Sequence, residues 1–178
     1  TVCSGIGKVF SAVAATLLAE GCDLLINAGL SGGFGEAGRY DIVLGTSFIE
    51  HDFDLTPIGY KKAQKPGSNK PVVSARELND DIIKKFPFVK QGVFVTGDCF
   101  VSSKEQHDFL ATEFDPIACD MESASVGYVA QVYDIPYVSI RMISDGANEG
   151  EAESYTDTLN CDVADRWAKI TFDWIRSL

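Results

Sequence analysis

Apolar positions along the chain fall into blocks of two kinds, and the two kinds alternate. "CDLLINAG", "DIVLGTSFI", "GVFVTGD", "PIACD" and "PYVSIRMISD" are short apolar runs ending in small or acidic residues, the pattern of buried strands. Between them, "KVFSAVAATLLAE" (Lys8 to about Glu20), "SARELNDDIIKKF" (Ser74 to Phe86) and "SKEQHDFLATEF" (Ser103 to Phe114) carry apolar residues at helical spacing. So do "MESASVGYVAQVYD" (Met121 to Asp134) and a final stretch from Thr156 to Leu178, which reads as one helix. "SGIGKV" supplies a glycine turn before the first helix, the residues ahead of it look like the end of a strand, and "GLSGGFGEAG" reads as a glycine-rich turn. Strands alternating with helices predict an α/β fold: a three-layer sandwich whose central, largely parallel or mixed sheet is flanked by helices. His51 to Val73, rich in proline and glycine, reads as an extended loop or a hairpin.

Composition narrows the class of protein. A chain of 178 residues suits one domain, residues 1–178, and 46 % hydrophobic with 23 % charged residues is ordinary for a globular chain. A net charge of -11, from 26 acidic residues against 15 Lys and Arg, disfavours a nucleic-acid polymer as partner. No run approaches the about 18 apolar residues of a membrane helix. Cys3, Cys22, Cys99, Cys119 and Cys161 are dispersed and odd in number, which argues against a disulfide framework or a zinc site and fits a reducing cytosol. The chain opens on Thr1 in an apolar stretch, which suggests a native N-terminus further upstream.

In open α/β sheets ligands bind beyond the carboxyl ends of the strands. The polar residues gathered there are Ser4 and Gly5, Asn27 to Gly33, Asp98 to Phe100, Asp120 and Glu122, and Arg141 and Asp145. Glu122 falls in the first turn of a predicted helix, where backbone N–H groups and the helix dipole keep a carboxylate ionised. Asp145 ends the most apolar strand, and desolvation there would suit a proton donor near neutral pH. Arg141, four residues earlier and on the same side of the strand, is placed to hold Glu122. Each feature also has a plain structural explanation: a tight turn for the glycines, helix-terminus acids for Asp120 and Glu122, an ion pair for Arg141 with Asp145, a core ring for Phe100. His51 and His107 lack metal-ligand spacing and read as surface or packing residues.

Taken in order, "SGIGKV", "INAGLSGGF", "DIVLGTSFIEHDFDLTPIGY", "VTGDCFV", "DMESASVGYVAQVYDIPYVSIRMISD" and "ESYTD" resemble the 5′-methylthioadenosine/S-adenosylhomocysteine nucleosidases of the nucleoside phosphorylase superfamily, in sequence and spacing over nearly the whole chain. The resemblance implies a nucleoside phosphorylase-like fold, hydrolysis of the N-glycosidic bond with release of adenine, no cofactor or metal, and a homodimer. It implies that Asp145 protonates N7 of adenine and that Glu122 takes the ribose hydroxyls beside Met121. Phe100 would stack on the base, the Val101 backbone would read its edge, and Ile6 and Tyr155 would line the 5′-alkylthio pocket. Leu55, Ile58 and Pro66 match residues that a partner subunit adds to that pocket.

Two departures accompany the match. The family's other catalytic acid lies in an N-terminal strand-turn segment without a counterpart here, and Leu30 replaces a common serine that helps position water, with Ser31 one place away. Two other functions therefore compete with a hydrolase. A phosphorylase on the same fold would need a basic phosphate pocket, whereas only Lys8 lies near the first turn and Arg39 falls after the second. A nucleoside-binding protein without catalysis is the other.

Overall fold

The computed structural model describes residues 1–67, 71–147, 152–159 and 163–178, so Cys161 lies outside the described residues. Helix α1 (Lys8–Ala19) is followed by strands β1 (Leu25–Gly33) and β2 (Ile42–Glu50), and after the long connection by β3 (Val72–Val73) and α2 (Arg76–Lys85). Then β4 (Lys90–Thr96), α3 (Lys104–Phe114), β5 (Ala118–Asp120), α4 (Ser123–Tyr133) and β6 (Tyr137–Asp145) alternate, and α5 (Ala152–Leu159) and α6 (Val163–Ile175) complete the order. The strands form one mixed sheet in the order β3-β2-β4-β5-β1-β6, and β2 also pairs with β6, so the sheet closes on itself. β6 runs parallel to β1 and antiparallel to β2, and β4 is parallel to both β2 and β5.

Local chemistry explains most element boundaries. Ser103 caps α3 by accepting the Gln106 N–H at 3.2 Å. Asp115 and Asp134, both with left-handed backbone, end α3 and α4. All nine residues of β6 are buried, as suits a strand with neighbours on both sides. Trp174 of α6 packs with Ile42, Leu44 and Ile140 in one of the apolar clusters that flank the sheet.

Several expectations change. Residues 1–5 form no strand. β1 continues through "GLSGG", which is therefore strand rather than turn, with a bulge between Ser31 and Gly32. The glycines are required because side chains lie over them: a Cβ on Gly29 would sit 2.1 Å from Arg141 Nη1, and one on Gly32 2.7 Å from Ala147 Cβ and 3.1 Å from Asp145 Oδ1. The segment from His51 contains a 3-10 turn, Thr56–Ile58, and its far end forms β3 against β2. The single C-terminal helix expected from Thr156 is two helices, α5 and α6.

Candidate active site

A cavity of about 570 Å³ runs along β1 from Leu25 to Gly32 and takes in the carboxyl ends of β5 and β6. Its lining includes Asp145, Glu122, Arg141, Ile6, Phe100, Val101, Met121, Tyr155 and Ser31, every residue expected at the site from within one chain. Leu55, Ile58 and Pro66 are absent from that lining, and Ile58 is 70 % exposed on the connection after β2. Phe100 stands at the rim, edge-on to Tyr155 with ring centroids 5.7 Å apart.

The two acids of "DMES" have separate roles. Asp120 Oδ1 accepts from Thr96 Oγ1 at 2.7 Å and from the backbone N–H groups of Glu122 and Ser123 at 3.2 and 3.1 Å, so Asp120 satisfies the start of α4. Ser123 Oγ donates to its other oxygen. Glu122 is the N-cap residue of α4 rather than part of its first turn, and its side chain makes no capping bond there. Instead Glu122 Oε1 accepts the Gly7 N–H at 2.9 Å, and Asp98 Oδ1 takes the next donor of α1, Lys8 N–H, at 2.8 Å. Because α1 has no acid in its own first turn, these two carboxylates from distant elements serve its N-terminus.

Arg141, 3 % exposed, joins the pair. Its Nη2 lies 3.4 Å from Glu122 Oε2 and donates to Ser123 Oγ at 3.2 Å, while Nη1 donates to the Leu30 carbonyl at 3.4 Å. Arg141 Nε is 3.0 Å from Asp120 Oδ2, close enough for an ion pair but not aligned as a hydrogen bond. Arg141 therefore pairs with Asp120 as well as Glu122, and not with Asp145. Asp145 is buried and held by two neutral donors, Ser144 Oγ at 2.6 Å and the Ala147 N–H at 2.9 Å. Ala147 adopts φ 52°, an uncommon conformation for alanine, to aim that N–H. Cys119 sits beside Asp145, where burial first and the Asp145 charge second push its thiol well above the usual range and leave it unreactive.

A carboxylate anchored by arginine, a buried carboxyl group on neutral donors and an aromatic rim line one cavity, an arrangement able to receive a flat, polar-edged ligand. The family model of the phosphorylase superfamily matches residues 1–178. The chain belongs to that superfamily. Among its curated relatives, the 5′-methylthioadenosine/S-adenosylhomocysteine nucleosidase of Actinobacillus succinogenes is 37 % identical over 157 residues, covering 84 % of this chain and 68 % of the relative. The enzyme of the same name from Anoxybacillus flavithermus is 35 % identical over 166 residues, covering 88 % and 71 %. Solved structures of nucleosidases of that name include the Helicobacter pylori protein with butyl-thio-DADMe-Immucillin-A, at TM-score 0.91 and 32 % identity over 98 % of this chain and 78 % of that one. The Neisseria meningitidis protein with methylthio-immucillin-A gives TM-score 0.89 and 33 % identity over 98 % and 79 %.

This superfamily member also uses residues that the sequence did not single out. Ser123 bridges Asp120, Arg141 and Ser139, and Ser144 orients Asp145. Serines next to strand-end acids are a usable signal, because a short hydroxyl is the simplest buried partner for a carboxylate. His51 and His107 are packing residues: His107 stacks on Phe34 with centroids 4.4 Å apart, and burial keeps the His51 imidazole below its ordinary pKa. Among the described residues no cluster could hold a metal ion, and no helix is long and apolar enough to cross a membrane.

Proposed function

We propose that the protein hydrolyses the N-glycosidic bond of adenine thionucleosides such as 5′-methylthioadenosine and S-adenosylhomocysteine. The observation that carries this is the pairing of two unlike carboxylates in one cavity, Asp145 on neutral donors and Glu122 on Arg141. As the bond to the base breaks, the ribosyl group gains positive charge and the base negative charge. Asp145 donates a proton to N7 of the departing adenine, and Glu122 holds the ribose hydroxyls as an anion beside the developing cation. Phe100 and Val101 receive the base, Met121 packs on the sugar, and Ile6 and Tyr155 border the alkylthio group.

Lys8, the cation beside the first glycine turn, is bound to Glu50 and Asp52, each at 2.7 Å, which favours water over phosphate as acceptor. The largely exposed Leu55–Pro66 segment and the apolar surface of Val9, Val13 and Leu17 on α1 and Val132 on α4 support a homodimer in which a second copy completes the site. The test is adenine release from methylthioadenosine by the full-length protein with and without phosphate. Turnover in phosphate-free buffer is expected; a strict phosphate requirement would replace the hydrolase with a phosphorylase, and binding without turnover would leave a nucleoside-binding protein.

A further inference from the structure

α1 and α4 start beside one another, and two links join their first turns. In one, Gly7, the N-cap residue of α1, donates its N–H at 2.9 Å to Oε1 of Glu122, the N-cap residue of α4. The other lies one turn further in, where Ser11 Oγ and Ser125 Oγ are 2.6 Å apart. Each serine also reaches back to the N-cap carbonyl of its own helix: Ser11 Oγ lies 2.9 Å from the Gly7 carbonyl and Ser125 Oγ 2.7 Å from the Glu122 carbonyl. Ser11 is 1 % exposed, so water hardly competes for these contacts. Alanine would suit both helices better and needs no partner, so the two hydroxyls cost helix propensity and return only their meeting.

Proton counting shows how the four oxygens are joined. A hydroxyl donates once, so two hydroxyls supply two protons to three links, and oxygens 2.6 Å apart need one of those protons between them. Either Ser11 donates to Ser125, which donates to the Glu122 carbonyl, or Ser125 donates to Ser11, which donates to the Gly7 carbonyl or to that of Lys8 at 3.1 Å. Both arrangements keep the bond between the helices. The Gly7 N–H at 2.9 Å is also a closer partner of the Glu122 carboxylate than Arg141 Nη2 at 3.4 Å, so whatever holds Gly7 against α4 holds Glu122. One link between two helix starts is a pivot; two links a turn apart fix their separation and rotation. We infer that Ser11 and Ser125 are positioning residues for Glu122, their hydroxyl pair docking the first turn of α1 on that of α4 and so keeping the carboxylate aimed into the cavity.

This inference rests on the nucleosidase reading for what Glu122 does with the sugar. Its test compares full-length wild type with Ser11→Ala, Ser125→Ala and the double variant, measuring kcat for adenine release from methylthioadenosine, thermal midpoints, and binding of adenine and of 5-methylthioribose separately by calorimetry. Either alanine variant is expected to lower kcat about 10-fold, as for a small misplacement of a group that acts on the transition state. Methylthioribose binding should weaken about 3- to 10-fold and adenine binding stay within about twofold, with midpoints within about 4 °C of wild type. The double variant should match the worse single one, and Ser11→Ala should cost less than about twofold in kcat when added to Glu122→Gln, because residues acting through one another are not additive. Unchanged kcat in both single variants, equal weakening of the two ligands, or a full further loss of kcat from Ser11→Ala on Glu122→Gln would overturn the assignment, as would wild type that does not bind methylthioribose. Wild type that binds methylthioribose but releases no adenine would remove the hydrolase function while the binding comparison still judges the serine pair.

Discussion

Two groups of carboxylates and cations meet the N-terminal end of α1, built from the same kinds of residue and put to different ends. In the outer group Lys8 and Lys65 neutralise Glu50, Lys8 also binds Asp52, and all remain in contact with solvent. Burial opposes the Lys8 charge, yet the hydrogen bonds its ammonium donates to Asp52 and Glu50 outweigh it and raise its pKa. Burial likewise opposes ionisation of Glu50, and its bonds to Lys65 and Lys8 win and lower its pKa. In the inner group one guanidinium, almost wholly buried, is shared by two carboxylates, of which Asp120 is spent on α4 and Glu122 faces the cavity. Abundant cations make a structural tie; in the inner group a single cation is divided between a helix-start acid and a cavity-lining one.

Breaking the inner group should have the largest effect. Asp120→Ala leaves Arg141 short of a partner and α4 without its cap, and should destabilise the protein by about 3–5 kcal/mol in urea unfolding. A loss below about 1 kcal/mol would make the inner group energetically no different from the outer. Asp145→Asn should slow adenine release by about 100-fold or more while the unfolding midpoint changes little, as for loss of a general acid. Glu122→Gln should be similarly slow through loss of the fixed anion; wild-type rates in either variant would reduce that acid to a structural role.

The outer group should respond least. Glu50→Gln should cost about 1 kcal/mol or less and weaken further in salt. Its pH dependence has a defined sign. The native pKa of Glu50 lies below its ordinary 4.5, so the stability it contributes is complete above that value and is lost as pH falls through the native one. The stability gap between wild type and Glu50→Gln should therefore shrink on acidification from about pH 6 towards pH 3. A gap that widened would mean that Glu50 is not held ionised by its lysines.

Which of these features could be seen in the residue order follows from their range. Asp145 and Arg141 were legible because each sits on an apolar run, where a charge is costly and needs a reason. Glu122 was legible as a helix-start acid, but its partner across the fold, the Gly7 N–H, was not. The division of labour between Asp120 and Glu122 was only partly visible, since both lie within one turn of α4 and local propensity treats them alike. "GLSGG" was misleading for the same reason: glycine-rich stretches usually break strands, and only the approach of Arg141 and Asp145 shows that these glycines make room instead. The closure of the sheet through β2 and β6 left no mark on the local pattern, because a sheet pairing relates residues about a hundred positions apart.

By itself, then, the residue order determined the alternation of strands and helices and the chemical types placed at the strand ends, because periodicity and capping act within a few residues. The tertiary structure decided which acid caps and which faces the cavity, that a glycine run is strand floor rather than turn, and that Ser11 and Ser125 meet. Those outcomes depend on which side chains arrive from distant parts of the chain, and only packing brings them together.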